Sequence, residues 1–268
     1  MYYTEKEARR LVVEAGNRLI ADGLAFRTWG NISARISPSE FIITPSGLAY
    51  DLLTEDDLVL VHLSDLSYEG DKKPSSEKGI HANAYTLREN ISFIIHTHQP
   101  YASVVGINDE AVSFMNGDEK ITVPCAEYGL PGTKRLCENV SKIIKFCPNS
   151  NAFFMHRHGA LVLGTSYEEA FEIANTLEEN CKKLFEEKTN GKKVSEKKTL
   201  KPWLDDFAQI YGAKNIPDDD KEALEKITWK NKLAALFANE KAKPLGFIDS
   251  KLQKLVYTLK YSKQKDKK

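Results

Sequence analysis

Residues 93–98 of the chain read FIIHTH, a short apolar run that ends in two histidines. The run is rich in β-branched and aromatic residues, which favour a buried strand. Side chains along a strand alternate between its two faces, so His96 and His98 are expected to project to the same side, within reach of one metal ion. A histidine pair with this spacing is also compatible with hydrogen-bonded packing in a core.

A second histidine cluster lies in the segment AFFMHRHGALVLG at residues 152–164, which predicts two short strands around a turn. A third imidazole from this segment would leave a fourth metal position open for water or substrate, as a catalytic zinc site requires. Either His156 or His158 could supply it. We favour His158 because Gly159 follows it, where the backbone can turn and approach a ligand closely. We expect His156 to pack beside the site.

The helix predicted over residues 77–90 begins with Glu77, shortly before the histidine strand. A carboxylate there could be a fourth metal ligand, or a general acid and base near the metal. It could also be an ordinary acidic residue in a first helical turn, stabilised by the helix dipole. The residue pattern by itself favours the last interpretation.

Small polar loops at residues 30–33, 44–47 and 74–76 could together form an anion pocket. Ser75 and Ser76 lie where a helix begins, and exposed backbone N–H groups at such a point favour phosphate. Each loop taken singly is typical of a turn or a helix cap.

Helices alternate with strands along the rest of the chain, and some strands are close enough in sequence to be antiparallel neighbours. Thr4 and Glu7 form a capping box for an N-terminal helix, which ends at Gly23. The pattern predicts an α/β layered domain over residues 1–185. The other predicted elements are a turn-rich stretch at 28–33, strands at 41–44, 58–63 and 121–124, and helices at 133–146 and from Ser166.

Composition excludes several classes of partner. Lys+Arg and Asp+Glu number 38 each, so no bulk charge attracts nucleic acid or a membrane surface. The chain has no signal-peptide pattern and no stretch of about 18 uninterrupted apolar residues. Its four cysteines have spacings that suit neither a zinc ribbon nor a disulfide scaffold. We therefore expect a cytoplasmic protein with reduced thiols.

The C-terminal part differs in composition from the rest. Residues 187–198 are charged and contain Asn and Gly, which predicts an exposed linker leading into an arm that ends near residue 213. Residues 214–268 carry apolar side chains at spacings typical of amphipathic helices, and they end in a basic tail that we expect to be disordered. Three regions follow: a layered domain that carries the candidate metal site at 1–186, a linker and arm at 187–213, and a helical extension at 214–268.

Taken in order, these pieces resemble the class II aldolase/adducin family over roughly residues 5–185. The ordered set is far more specific than any one motif. The matching segments are TWGNISAR (28–35), ITPSG (43–47), SSE (75–77), HTH (96–98), VPCAEYGLPGT (123–133) and RHGALVLG (157–164).

The resemblance implies a three-layer α/β fold, with a mostly antiparallel central sheet between helices, and a homotetramer with active sites at subunit interfaces. It implies a zinc-dependent lyase that cleaves a ketose 1-phosphate, such as L-fuculose 1-phosphate, to dihydroxyacetone phosphate and a hydroxyaldehyde. The implied site residues are His96, His98 and His158 for zinc, Glu77 as acid and base, Tyr211 for protonation of the leaving aldehyde, and Asn31, Ser46, Gly47, Ser75 and Ser76 for the phosphate.

Other reactions of the same family stay open. Pentulose-phosphate 4-epimerases carry Asp where Glu77 stands, which argues against that activity. A methylthioribulose-phosphate dehydratase and a phospho-tetronate decarboxylase would share the metal site. Phe114 stands where the aldolases have a tyrosine, which leaves the aldehyde product open. The adducin branch, a non-catalytic interaction module, has lost the metal ligands that are present here.

Overall fold

The computed structural model describes residues 2–25, 29–107, 111–116, 119–189 and 191. The chain divides into two compact units, the first formed by Met1–Gly129 and Leu136–Val194. The second is formed by Leu130–Arg135 and Ser195–Lys268, and only Leu130–Arg135 is described. The predicted arm and helical extension lie outside the described residues and stay predictions.

Strands and helices alternate along the described residues, as the sequence predicts. The strands are β1 (Asn31–Arg35), β2 (Glu40–Ile43), β3 (Val59–His62), β4 (Phe93–Thr97), β5 (Val112–Asn116), β6 (Glu119–Val123), β7 (Cys125–Ala126), β8 (Ala152–Met155) and β9 (Gly159–Gly164). The helices are α1 (Glu5–Ala21), α2 (Lys78–Leu87), α3 (Pro100–Val105), α4 (Lys134–Phe146) and α5 (Tyr167–Thr189), with short 3₁₀ turns at Tyr50–Leu52 and Glu55–Asp57.

Seven strands form one sheet in the order β3-β2-β1-β4-β9-β8-β7, and β5 pairs with β6 in a separate two-stranded sheet. Neighbouring strands of the large sheet are antiparallel, except that β7 runs parallel to β8. Strand β4 lies near the middle, between β1 and β9. Of the two histidines predicted at its end, His96 lies in this fully buried central strand, and His98 follows directly after it and is partly buried.

Helices cover both faces of this sheet. Phe93 and Ile95 of β4 belong to the apolar cluster that contains the buried residues of α1 and α5. Ile94, between them, packs with buried residues of α2 and α4 on the opposite face. This alternation gives the expected three layers, with a mostly antiparallel sheet between helices.

Six elements were not predicted: three strands (β1, β5 and β7), the short helix α3 and the two 3₁₀ turns. Strand β1 lies in the stretch expected to be turn-rich, because pairing with β2 on one side and β4 on the other overrides its polar composition. In the described part of the chain, no helix has the length and apolar character needed to span a membrane. The four cysteines are free thiols.

Candidate active site

Three histidines converge at the end of the central strand. The Nε2 atom of His96 lies 3.0 Å from Nε2 of His98 and 3.2 Å from Nε2 of His158. Nitrogen ligands about 2.0–2.1 Å from a tetrahedral zinc ion lie roughly 3.3–3.4 Å from one another. The donor set therefore fits a divalent ion, and it joins the two histidine clusters that the sequence singled out.

The protonation of these rings suits a metal. Nδ1 of His96 lies 2.9 Å from the carbonyl oxygen of Ala160, which can only accept, so Nδ1 carries the proton and Nε2 presents its lone pair. Burial holds the pKa values of His98 and His158 well below their ordinary range, and neighbouring His96 adds to the effect. Neutral imidazoles are the form that coordinates metal.

The turn between β8 and β9 explains why His158, and not His156, joins the cluster. Arg157 adopts a left-handed backbone conformation with φ of 56°, which breaks the strand alternation between the two histidines. The N–H of His158 then donates to Met155 O at 2.8 Å. His156 instead places Nε2 2.9 Å from the carbonyl oxygen of Ile107. The residue that turns the backbone is thus Arg157, whereas we expected Gly159.

Two glycines allow neighbouring backbone to approach β4 at the histidines. A Cβ atom on Gly159 would lie 2.3 Å from the carbonyl oxygen of Thr97, and one on Gly30 would lie 2.2 Å from that of His96. Gly30 also has a positive φ of 93°. Any larger residue at either position would displace the strand that carries the ligands.

Glu77 faces the histidine cluster from the other side. Its residue is buried, with 8% of its surface exposed, at the N-cap of α2. Its Oε2 lies 3.4 Å from Nε2 of His96, and its Oε1 lies 3.3 Å from Nε2 of His158. A buried carboxylate so close to the convergent ring nitrogens can act as a metal ligand or as an acid and base, whereas an ordinary first-turn Glu is exposed to solvent.

Behind Glu77 lies a set of buried polar residues, of which sequence reasoning named only Asn31, and for another role. The Nδ2 of Asn31 donates to Glu77 Oε2 at 2.9 Å, and its Oδ1 lies 2.5 Å from Nε2 of His81. Ser33 Oγ lies 2.7 Å from His81 Nδ1 and 2.8 Å from the Tyr85 hydroxyl. Helical spacing of Glu77, His81 and Tyr85 was the signal that could have revealed them. The side chain of Asn31, expected at the phosphate, is directed to Glu77 and His81.

The three loops expected to bind phosphate are neighbours in the structure. The N–H of Thr44 donates to Ile32 O, its carbonyl oxygen accepts from the N–H of Ser75, and Ser46 N–H donates to Lys73 O at 2.9 Å. Ser75 is buried and its hydroxyl accepts the N–H of Glu77, whereas Ser76 is exposed, as are two further members of the predicted set, Ser46 and Gly47.

Among the aromatic residues, Trp29 borders the site. The ring of Trp29 lies 5.6 Å from that of His98, which is the more exposed of the three histidines. Phe114, on β5, is half-buried in a separate apolar cluster with β6 and α5. Tyr211 lies outside the described residues, so its role stays a prediction.

The chain belongs to the class II aldolase and adducin family. Residues 10–185 match the family model described as "Class II Aldolase and Adducin N-terminal domain". This span contains Glu77 and all three clustered histidines, and it agrees with the range over which the motifs showed the resemblance.

The relatives of this chain differ from one another in activity. The chain is 31% identical over 190 residues to a 5-deoxy-D-ribulose 1-phosphate aldolase of Bacillus thuringiensis serovar kurstaki, covering 69% of this chain and 88% of that protein. It is 37% identical over 188 residues to a methylthioribulose-1-phosphate dehydratase of Azotobacter vinelandii, covering 65% and 91%. A solved L-fuculose 1-phosphate aldolase superposes with a TM-score of 0.62 at 27% identity, covering 75% of this chain and 95% of that one.

Proposed function

We propose that this protein is a zinc-dependent lyase that cleaves a ketose 1-phosphate to dihydroxyacetone phosphate and an aldehyde. One arrangement carries the proposal: a buried carboxylate, Glu77, lies 3.3–3.4 Å from the ring nitrogens of two of three converging histidines. A metal site beside an acid and base suits the reversible breaking of a carbon–carbon bond next to a carbonyl group.

His96, His98 and His158 would hold the ion through Nε2. Three neutral imidazoles favour zinc, although other divalent transition metals accept the same donors. A bound metal would supply Lewis-acid stabilisation of the negative charge that develops on the substrate oxygens during cleavage.

Glu77 would move the protons. Cleavage of the C3–C4 bond turns C4 into an aldehyde as its hydroxyl loses a proton, and the bonding electron pair passes to C3 beside the C2 carbonyl. C3 must then gain a proton to yield dihydroxyacetone phosphate. A carboxylate held at this position can accept the first proton and deliver the second, so that the protons balance.

The phosphate would lie against the loops that Thr44 holds together. Backbone N–H groups at the start of α2 and the exposed side chains of Ser46 and Ser76 favour an anion there. The same pocket would include Gly47 and Ser75, with Asn31 contributing through the amide hydrogen that is not directed to Glu77. Binding the phosphate would fix the ketone end of the substrate relative to the histidines.

A dehydratase is the second candidate, because the relative from Azotobacter vinelandii with that activity shares 37% identity with this chain. Removal of water from a ketose 1-phosphate requires the same acid and base beside a carbonyl. It leaves the carbon chain intact, so the two reactions differ in their products.

The deciding experiment supplies the purified protein with a panel of ketose 1-phosphates that includes 5-deoxyribulose, fuculose and methylthioribulose 1-phosphates, with and without a chelator. Release of dihydroxyacetone phosphate that stops with chelator and returns with zinc supports the aldolase. A dehydrated product of unchanged carbon number supports the dehydratase. If neither product forms with protein that is shown to carry metal, both proposals are overturned.

We further propose a cytoplasmic homotetramer, in line with the family resemblance. Light scattering coupled to size-exclusion chromatography tests it, and a mass near four times the chain's 30.2 kDa is expected.

A further inference from the structure

We infer that a buried hydrogen-bonded chain of Tyr85, Ser33, His81 and Asn31 positions the carboxylate of Glu77 against the three histidines. We refer to these four residues as the polar chain. Ser33, His81 and Tyr85 are positioning residues, since they act through Asn31 and Glu77, and Asn31 itself holds Glu77 directly. The inference rests on the proposed function in one respect, that Glu77 transfers protons during turnover.

The polar chain follows from the way α2 packs on β1. Ile32 and Ala34 of β1 face the cluster that includes α1, so Asn31 and Ser33 face the opposite side, towards α2. On α2, His81 and Tyr85 follow Glu77 at intervals of four residues and so lie on one face of the helix. Two polar positions of the strand thus meet three polar positions of the helix in register.

Arg35 is the next residue on the same face of β1, and it binds the C-terminal part of α2. It is buried, with 4% of its surface exposed, and Nη1 donates to the carbonyl oxygen of Tyr85 at 3.0 Å. A cation bound to carbonyl groups near the C-terminus of a helix is favoured by the helix dipole. The helix is thereby held to the strand along its length, which fixes the distance between Glu77 and Asn31.

The direction of each hydrogen bond is determined by its neighbour. A carboxylate only accepts, so Asn31 presents Nδ2 to Glu77 and Oδ1 to His81. Because Oδ1 only accepts, His81 carries its proton on Nε2. Nδ1 of His81 must then accept from the Ser33 hydroxyl, whose oxygen accepts in turn from the Tyr85 hydroxyl.

Burial makes this arrangement rigid. Ser33, His81 and Tyr85 are fully buried, and Asn31 is 4% exposed, so a broken link could not be replaced by bulk water. Burial also lowers the pKa of His81 to about 3, so the ring is neutral and keeps a donor on one nitrogen and an acceptor on the other. The other tautomer would set the lone pair of His81 Nε2 against Oδ1 of Asn31, which is also an acceptor.

The effect on Glu77 is a fixed orientation. With Oε2 held by Asn31, Oε1 is directed at His158, and the carboxylate cannot rotate away from the histidines without breaking a buried bond. Groups that transfer protons work best when supporting contacts hold them in one geometry. Loss of an outer supporting partner in metal enzymes typically costs about 10–100-fold in activity or metal affinity.

The first test measures the tautomer of His81 without reference to activity. Zinc-loaded protein with ¹⁵N-labelled histidine is studied by NMR, and the His81 signals are assigned by their absence from the His81→Gln variant. The expected pattern is a protonated Nε2 with an unprotonated Nδ1 from pH 8 to pH 5. A protonated Nδ1, or a ring that titrates in this range, would overturn the inference.

The second test compares variants in steady-state kinetics. His81→Leu removes the donor to Asn31, and kcat is expected to fall about 10–100-fold with little change in KM and a normal zinc content. His81→Gln keeps a donor near the position of Nε2 and is expected to recover most of the loss. Tyr167→Phe, which removes a tyrosine hydroxyl on the opposite face of the sheet, serves as the matched control and should keep full activity.

The outcomes separate this inference from the proposed function. A wild-type kcat in folded His81→Leu, or a Gln variant no better than the Leu variant, would refute the positioning role while leaving the lyase intact. A wild-type protein inactive on every ketose 1-phosphate would refute the proposed function, and the tautomer of His81 would then decide the polar chain by itself. If His81→Leu fails to fold, the tautomer measurement and the kinetics of His81→Gln still test the inference.

Discussion

The Nε2 atoms of His96 and His158 lie 3.2 Å apart, although 62 positions separate the two residues in the chain. Antiparallel pairing of β4 with β9 sets His96 opposite Leu161, and the turn before β9 then brings His158 back over the end of β4. The contact thus depends on strand register and on the turn at Arg157, and neither is a property of one motif alone.

Replacing His96 by Ala should remove most of the bound divalent metal and lower activity by more than about 100-fold, beyond the loss of an outer partner. The fold should persist, because the apolar clusters on both faces of β4 are untouched. Elemental analysis measures the bound metal, steady-state kinetics the activity, and circular dichroism the fold. His156→Ala is the matched control, since its ring lies outside the cluster, and it should retain metal. Retention of metal by His96→Ala would show that the ligands are assigned wrongly.

Glu77→Gln should keep the metal but lose about 10²–10⁴-fold in kcat, the range typical for loss of a general acid and base. Glutamine has the same shape and can still accept from Asn31, so the arrangement around it should persist. Steady-state kinetics with metal analysis measure the result. An unchanged rate would reduce Glu77 to a residue that only begins a helix.

Ser76→Ala should raise KM for a ketose 1-phosphate by roughly 10–100-fold, with kcat close to the wild-type value, since a hydrogen bond to a charged group contributes about 1.5–3 kcal/mol. The matched control is Ser64→Ala, another exposed serine that lies outside the proposed phosphate loops. Equal KM values in the two variants would argue against phosphate binding at the start of α2.

Gly159→Ala should destabilise the protein by about 1–3 kcal/mol, because its Cβ would lie 2.3 Å from the carbonyl oxygen of Thr97 and force β4 and β9 apart. It should weaken metal binding as well, since His96 Cε1 lies 3.2 Å from the same position. Urea unfolding measures the first effect. Gly79→Ala in α2, whose nearest neighbour is a side-chain sulfur at 3.2 Å, should cost much less. If Gly159→Ala left the free energy of unfolding unchanged, the strands would separate at little cost.

His81 should make stability depend on pH. Its pKa is about 3 in the folded protein and 6.5 as the ordinary value, so the unfolded chain binds the proton more tightly. The stabilisation that comes from a neutral His81 in the folded protein is complete above pH 6.5 and is lost as the pH falls towards 3. At 1.36 kcal/mol per pH unit, about 2 kcal/mol of it is lost between pH 6.5 and 5. In urea unfolding, the difference in the free energy of unfolding between wild type and His81→Gln should shrink by that amount over the same pH range. A difference that does not change with pH would contradict a neutral, buried His81.

Local sequence was sufficient for much of this protein. Periodicity and caps predicted α1, α2, α4 and α5, and apolar runs predicted β4, β8 and β9, because these elements carry their own hydrophobic pattern. The histidine pair followed from strand alternation, which needs no tertiary information. The ordered motifs also indicated the family, and the family match over residues 10–185 confirms it.

Tertiary structure decided what depends on pairing and packing. Strand β1 exists because β2 and β4 bind its backbone on both sides, whereas its own residues are typical of a turn. The left-handed backbone at Arg157 determines that His158, and not His156, lies beside His96, and the packing of α2 on the sheet brings Glu77 close to His96. The direction of Asn31 towards Glu77 was likewise invisible in sequence, because a buried polar side chain acquires its role only from the partners that the fold brings within hydrogen-bonding distance.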